Sequence, residues 1–555
     1  MDTLRITQLD IAIVAVAFFT TMGFGLWFGR RKVASSEALF LADRDATWPL
    51  IGASLFSANI SSQQFVGQAG LAYAIGLAAG AFQLVGALCF ALLAIFFVDV
   101  YLGLRLRTAP EFFEKRYHVG ARMCVSGINL VIILAANVAT ALYAGATVLA
   151  DLAGWNGETQ FALAVGVIAL AAGVTTIAGG LRSVLWMDLL LATLLITGGA
   201  ITLVMSIQHA GGWSEATAVF DADGNSFWSV IQPWFREFGW LPLATGAVIL
   251  GVHGHCTDQD YVQRALAARS VYHSKMGALF AGVLKVVALL IIAAPGVVAA
   301  KLMPGLEHPD QAYARVVAMY VPSGLAGLVF AGLFSAILGT VAAGLAASSS
   351  LISFDFIGRL APGLSERRRV VIGRIVMASL LTVCALLAPS IREFQGVYVY
   401  IVRLGAALGP AVFVCVVAGI FTRRASGRGA TATLVAGTIF GVSAYFIQSS
   451  PEMAESLPLY LRSSLNTSFL NTLFCAVVMY LASDPVEGAA RAEVVLEERR
   501  DAPDRETMTD VERRKYRLAL LTLAIVWSAT LFVFSPWGVA GDREEPQSAQ
   551  IESTP

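Results

Sequence analysis

Apolar runs of membrane-crossing length, separated by charged loops, set the pattern of this chain. About 20 apolar residues carry a helix across the hydrocarbon of a bilayer. Fourteen segments meet that length, at residues 8–28, 48–72, 78–103, 120–151, 159–178, 183–207, 241–259, 273–302, 323–352, 370–389, 396–421, 429–449, 465–483 and 516–537. The pattern predicts an all-α polytopic membrane protein.

Two of these spans are interrupted by polar residues. In the run from Ser57 to Gly67, six of eleven positions are polar: Ser57, Asn59, Ser61, Ser62, Gln63 and Gln64. Ser and Asn compete for backbone hydrogen bonds and weaken a helix locally, so this segment predicts a broken helix around a polar cavity. The second run, Gly251 to Asp260, contains His253, Gly254, His255, Thr257 and Asp258 and lies five helices later. Interruptions at matching places in two five-helix halves point to a solute-binding site between repeats. His253 and His255 are two apart and face different sides of a helix, which argues against a shared metal. His255 reads either as a substrate or gate contact or as a packed residue.

Three charges fall inside spans: Asp188, Lys285 and Arg403. Each reads as a structural ion pair, a snorkelling group or part of a polar site. Lys285, about ten residues into its span, favours the site.

Lys and Arg are unevenly distributed between alternate loops. One set of loops holds 28 of the 38, and the other set, with both termini, holds 7. The basic side faces the cytosol, so both termini are expected outside, in a plasma (inner) membrane. The expected organisation is an extra helix and cytosolic loop at 1–47, a first repeat at 48–207 and an outer loop at 208–240. A second repeat follows at 241–421, then extra helices at 422–538 around a charged cytosolic loop at 484–515, and a polar tail at 539–555. The outer loop carries Asp221-Ala222-Asp223-Gly224-Asn225, which reads as a turn because the later ligands of a calcium loop are missing.

Composition agrees with this picture. Only 14% of residues are charged, 57% are hydrophobic and the formal net charge is zero, with a mean hydropathy of +0.71. Soluble domains carry about 25% charged residues. A nucleic-acid binder and a secreted disulfide scaffold are excluded. The six cysteines lie in or beside apolar segments and none forms a CxxC, so they read as small buried hydrophobes.

Several stretches together resemble one family, the solute:sodium symporters, which include the sodium–glucose and sodium–galactose cotransporters. They are Ala53 through Gly67, Thr108-Ala109-Pro110-Glu111-Phe112-Phe113-Glu114-Lys115-Arg116-Tyr117, Gly179-Gly180-Leu181-Arg182-Ser183 with Trp186 and Asp188, Thr257-Asp258-Gln259 through Gln263-Arg264, and Gly419 through Ala430. The resemblance runs from about residue 38 to 440. It implies a LeuT-like inverted repeat of five plus five helices, with broken first and sixth core helices and extra helices at both ends. It also implies sodium as the coupling ion, held by carbonyls of Ser57, Ile60 and Ala336 and by hydroxyls at positions 339 and 340.

The chain departs from the family at several of these positions. Position 339 is Gly339, so one hydroxyl is missing; Thr340 keeps the other, with Ser335 or water available to compensate. A further sodium site that uses Asp188 in some members also needs hydroxyls where this chain has Ala342 and Ala343, so that site is expected absent. Asp188 is instead assigned to the ion pathway. In the cavity, the family's Gln and Lys match Gln64 and Lys285, beside Asn59 and Gln63. A Glu becomes Gln83, an Asn becomes Gly251, an aromatic gate becomes Gly254 with His255 beside it, and a Gln-Glu pair becomes Val402-Arg403. Loss of a carboxylate and gain of Arg403 predict a more positive cavity, in which Lys285 and Arg403 clamp a carboxylate.

The expected function is sodium-coupled import of a small polar organic solute, with a carboxylate or sugar acid favoured. The partners are that solute and the lipid bilayer, without nucleic acid; the oligomeric state is open and compatible with a monomer. Two alternatives are a proton-coupled symporter using Asp188 and a non-transporting sensor, which usually appends a large signalling domain, whereas 17 residues follow residue 538. An enzyme is not expected: no H-E-x-x-H is present, and Asp258 and Asp260 lack a partner motif.

Overall fold

A computed structural model describes the chain except residues 1–6, 29–34, 61–63, 154, 156, 222–223, 362, 394–396, 501–507 and 540–555. Among the described residues the fold is helical, with β pairing limited to isolated bridges. Ten helices are long and apolar enough to cross a membrane: Leu77–Gly103, Val119–Ala150, Gly180–His209, Val271–Leu302, Leu325–Leu360, Arg367–Ile391, Tyr398–Phe421, Gly427–Ser449, Ser464–Ala482 and Asp510–Val533. Shorter apolar helices cover Gln8–Thr21 and Glu158–Gly173. The two remaining predicted spans, 48–72 and 241–259, are the interrupted ones.

The first broken helix ends as the sequence predicts. Trp48–Asn59 is helical, Ile60 leaves the helix at φ −91°, ψ 89°, and the chain resumes as a π turn, Gln64–Gln68, leading into Ala69–Ile75. The second is broken elsewhere than the glycines suggest. Val248–Thr257 runs unbroken through Gly251 and Gly254, and the chain turns at Asp258, with ψ 132°, to start Gln259–Leu266. The cause is capping: the Asp258 side chain accepts the Asp260 N–H at 3.0 Å.

Spans 159–178 and 183–207 join in one helical run, Glu158–His209, kinked at Gly180. Gly180 has φ +61°, and a Cβ there would lie 2.8 Å from the Leu39 carbonyl oxygen, so both conformation and space require glycine. Small residues also let helices approach closely elsewhere: a Cβ on Gly296 would meet the Ala69 carbonyl, and one on Gly441 the Ala407 carbonyl.

The extra helices are tied to the core by specific bonds. Asp10, fully buried, accepts the N–H groups of Gly324 (2.7 Å) and Gly327 (2.8 Å). The first helix thereby caps the N-terminus of the Leu325–Leu360 helix with a carboxylate. Trp527 of the last helix donates to the Leu84 carbonyl at 2.8 Å. Segment 208–240 packs against the end of the last helix through buried Trp228, which stacks on Phe534. Its Asp221 motif is a turn, in which Asn225 N–H donates to Asp221 Oδ1 at 2.8 Å. Segment 484–515 contains a helix, Pro485–Arg500, whose Glu498 pairs with Lys115.

Candidate functional site

Two groups of buried polar side chains lie against the broken helices. The first sits where the Trp48–Asn59, Gly180–His209 and Leu325–Leu360 helices meet. Ser57 Oγ donates to the Asp188 carbonyl (2.8 Å), and Ser54 Oγ donates to Asp188 Oδ2 (2.5 Å). Carbonyls in the last turn of a helix lack intrahelical partners, and Ser57 occupies that turn, one turn before buried Ile60. On the facing helix, Thr340 Oγ1 donates to the Ala336 carbonyl (3.0 Å). Its hydrogen is thus committed and its lone pairs stay free for a cation. Gly339 faces Asp188: a Cβ there would lie 3.3 Å from Asp188 Oδ1. Ser335 is fully buried, and its hydroxyl has no hydrogen-bond partner among the described residues.

The second group centres on Lys285, which is 3% exposed. Its Nζ donates to Gln83 Oε1 (2.7 Å) and to Asn59 Oδ1. Gln83 Nε2 donates to Gln68 Oε1 (2.5 Å), and Gln68 Nε2 donates to the Ala79 carbonyl (2.9 Å) and the Tyr398 hydroxyl (3.3 Å). Asn59 Nδ2 donates to the Tyr261 hydroxyl (2.7 Å) and lies 3.4 Å from His255 Nε2. The His255 ring is held between Phe90 (4.7 Å) and Tyr261 (5.2 Å). No carboxylate pairs with Lys285 among the described residues; the partners of its Nζ are the amide oxygens of Gln83 and Asn59.

The structure brings Asn59, Gln83, His255 and Lys285 together. Gln64 is half-buried at the start of the π turn, and Gln63 lies outside the described residues. Gly251 is a packing position, since a Cβ there would come within 2.7 Å of Cys89 Sγ. Gly254 faces open space, with nothing within 4 Å of a built Cβ. His253 turns the other way, bonded to Thr257 Oγ1 at 2.8 Å and packed on Gly409, as the two-residue spacing requires.

Arg403 corrects the predicted clamp. It lines a cleft with Tyr445, Ser464, Thr467 and Asn471 of the C-terminal helices, and its charge acts on Glu237 and Tyr445. The Tyr398–Phe421 helix packs this face against the Gly427–Ser449 and Ser464–Ala482 helices. Two residues of the cluster escaped sequence reasoning. Tyr261 supplies an aromatic ring beneath Asn59, where Gly254 supplies none. Gln68 links Gln83 to Tyr398. Both lie just past the polar runs that drew attention, Tyr261 three residues after the capping Asp258.

Glu237, in the segment between His209 and Trp240, gives a pH dependence. It accepts the Ser464 N–H at 3.1 Å. Burial pushes its carboxyl from the ordinary 4.5 up to about 7, against the lowering pull of the Ser464 N–H and Arg403. Between those values the folded carboxyl keeps a proton that the unfolded chain has released, so stability falls as pH rises through this window. The thermal midpoint is expected to drop from pH 5 to pH 8, and Glu237→Gln, which needs no proton, is expected to flatten that drop and raise the pH 8 midpoint.

The sodium:solute symporter family model matches residues 39–437. The chain is 30% identical over 480 residues to the sodium/myo-inositol cotransporter of Homo sapiens, covering 78% of this chain and 66% of that protein, about two thirds of its length. It is 30% identical over 477 residues to the sodium/mannose cotransporter SLC5A10 of Bos taurus, covering 79% of each chain. With the sodium/glucose cotransporter of Vibrio parahaemolyticus it shares 27% identity over 479 residues, covering 81% of this chain and 87% of that one. Among solved structures, a substrate-bound outward-open Na+-coupled sialic acid symporter superposes with a TM-score of 0.72 at 19% identity, covering 86% of this chain and 99% of that one. That likeness establishes the LeuT-like fold. With the family model spanning most of the chain and the fold agreeing, the protein belongs to the sodium:solute symporter family, whose members are transporters and not enzymes.

Proposed function

We propose that this protein couples sodium entry to the import of a small polyhydroxylated carboxylate, a sugar acid or a related compound. Sodium sits between the first broken helix and the Leu325–Leu360 helix, on carbonyls of Ser57, Ile60 and Ala336 and the hydroxyl of Thr340. It fixes the end of the broken helix, and Asn59 there faces Lys285. The two repeats then rock about this centre and expose it to the cytosol. One sodium ion moving inward through 100 mV contributes about 2.3 kcal/mol, before its concentration gradient is added. The membrane is the plasma (inner) membrane, with both termini outside, on the strength of the Lys and Arg asymmetry.

The observation that carries the substrate class is that buried Lys285 has amide oxygens and no carboxylate among its described partners. Gln83 stands at bonding distance with an amide, so a carboxylate on the substrate supplies the missing counter-charge. A second reading, a neutral polyol, is favoured by the sugar and inositol cotransporters among the relatives.

The test is the thermal midpoint of the purified protein in sodium, potassium and choline chloride at equal ionic strength, with glucose, glucuronate and myo-inositol added in turn. A ligand that binds only the folded form raises the midpoint, by about 2.7 kcal/mol of stability at a hundredfold its Kd. Sodium alone is expected to stabilise, Thr340→Ala to remove that effect, and glucuronate to add to it only in sodium. Stabilisation by glucose or inositol without glucuronate selects the neutral reading. Equal midpoints in sodium and potassium, with acid pH stabilising instead, select proton coupling.

A further inference from the structure

Two nitrogens meet over Gly86, one from Lys285 and one from His255. A Cβ on Gly86 would stand 3.2 Å from Lys285 Nζ and 3.2 Å from His255 Nε2, so the nitrogens are no more than twice that distance apart. The same Cβ would press on Lys285 Cε at 2.9 Å. Gly86 thus lets the two groups approach by having no side chain. Both side chains are buried. Beside His255 on its helix, Gly254 leaves open space.

The partners of each nitrogen fix its chemistry. His255 Nδ1 lies 2.8 Å from the Gly251 carbonyl oxygen. A carbonyl only accepts, so in the neutral ring Nδ1 carries the proton and Nε2 is an acceptor. The contact of Nε2 among the described residues is Asn59 Nδ2 at 3.4 Å, and that amide gives its short bond to the Tyr261 hydroxyl at 2.7 Å. Phe90 and Tyr261 hold the ring in place. Lys285 Nζ has three N–H groups to donate. Gln83 Oε1 and Asn59 Oδ1 take two of them, and the third has no acceptor among the described residues. The edge over Gly86 is therefore a cationic donor beside a neutral acceptor.

That pairing matches two adjacent groups on one small molecule: a carboxylate, and a hydroxyl on the carbon next to it. The carboxylate takes the ammonium, at about 2.8 Å for a charge-assisted bond. The hydroxyl gives its hydrogen to Nε2, which carboxylate oxygens cannot do. Three covalent bonds separate the two oxygens, so they span a short gap. A hydroxyl one carbon further out rotates about an extra bond and loses that freedom on binding.

We propose that His255 Nε2 reads a hydroxyl on the carbon adjacent to the substrate carboxylate, so that the site selects 2-hydroxy acids, with Gly86 setting the spacing between the two nitrogens. The proposal rests on the sodium-coupled carboxylate reading above and narrows its substrate class. Gluconate has the required hydroxyl. Glucuronate in its ring form has an ether oxygen in that place, which cannot donate.

The test is the thermal midpoint of the full chain in saturating sodium, titrated with D-gluconate, 2-deoxy-D-gluconate, 3-deoxy-D-gluconate and glucuronate. Gluconate and 3-deoxygluconate are expected to bind about tenfold or more tighter than 2-deoxygluconate, because loss of the hydroxyl leaves a buried acceptor unpaired. Glucuronate is expected to fall with 2-deoxygluconate. His255→Phe keeps a ring between Phe90 and Tyr261 and removes the acceptor, and is expected to erase the preference for gluconate. Gly86→Ala parts the two nitrogens and is expected to weaken gluconate more than 2-deoxygluconate.

Equal affinity of the wild type for gluconate and 2-deoxygluconate, with both binding in sodium, overturns the proposal and leaves the carboxylate reading standing. A preference that survives in His255→Phe does the same. A protein that none of the acids stabilises overturns both. Should His255→Phe fail to fold, as judged by its midpoint in choline, Gly86→Ala decides: an unchanged preference there overturns a hydroxyl read between the two nitrogens.

Discussion

Gln83→Glu is expected to cost the protein its response to acidic substrates while leaving its sodium response intact. Gln83 Oε1 lies 2.7 Å from Lys285 Nζ, so a carboxylate at this position forms a buried ion pair without rearrangement. The ammonium then has an internal partner, and an incoming carboxylate meets a neutralised site that also carries a like charge. Breaking or pre-empting a buried, hydrogen-bonded charge pair costs about 2–5 kcal/mol of binding, a loss of about thirtyfold or more in affinity. Neutral polyols suffer no such penalty, so glucose or inositol is expected to gain on glucuronate in the variant. Lys285→Met separates charge from geometry: it removes the ammonium altogether and is expected to abolish binding of the acid without creating a site for the neutral sugar. Substrate-dependent midpoints in sodium measure all three proteins on one scale. Equal affinity of wild type and Gln83→Glu for glucuronate removes the case for an acidic substrate.

That argument depends on residues whose proximity the chain conceals. The helices themselves are legible, because twenty apolar residues in succession have few other uses, and the polar run at Ser57–Gln64 marks the first break plainly. The second break is less so. Gly251 and Gly254 suggest a break by flexibility, yet both sit in regular helix and serve as space, one filled by Cys89 and one left open. The break belongs to Asp258, whose capping signal was present in the sequence but outweighed by the glycines. Arg403 was misplaced for a different reason. Which face of a core helix meets the cavity depends on what packs against its back, and here helices outside the repeat, at 427–449 and 464–482, take that face. Asp188 and Gly339 are separated by a long stretch of chain, so their juxtaposition follows only from the packing of the Gly180–His209 helix along the Leu325–Leu360 helix.

The same Leu325–Leu360 helix carries the position where loss of one side chain should cost most in stability. Asp355, near its C-terminal end, is 0% exposed. Its Oδ1 accepts from Arg122 NH2 (2.5 Å) and Nε (3.0 Å) and from Thr108 Oγ1 (2.9 Å), and its Oδ2 accepts from Ser126 Oγ (2.5 Å). Arg122 NH1 continues to Glu114 (2.7 Å), which also pairs with Arg359. Around this carboxylate, the Leu325–Leu360 helix, the Val119–Ala150 helix and the segment that precedes it are joined. Asp355→Ala leaves Arg122 buried without its main partner and strips acceptors from Thr108 and Ser126. Breaking a buried pair from one side costs about 3–5 kcal/mol, so the midpoint in choline is expected to fall by many degrees or the protein to leave the membrane unfolded. Arg122→Met paired with Asp355→Leu removes both charges and is expected to recover most of that loss, because two matched apolar groups need no partner. Recovery in the double variant identifies the penalty as an uncompensated charge. Failure to recover identifies it instead as loss of the bonds that hold the C-terminal end of the Leu325–Leu360 helix to its neighbours, and the sodium titration of the double variant then reads whether that anchorage reaches Thr340, four turns away.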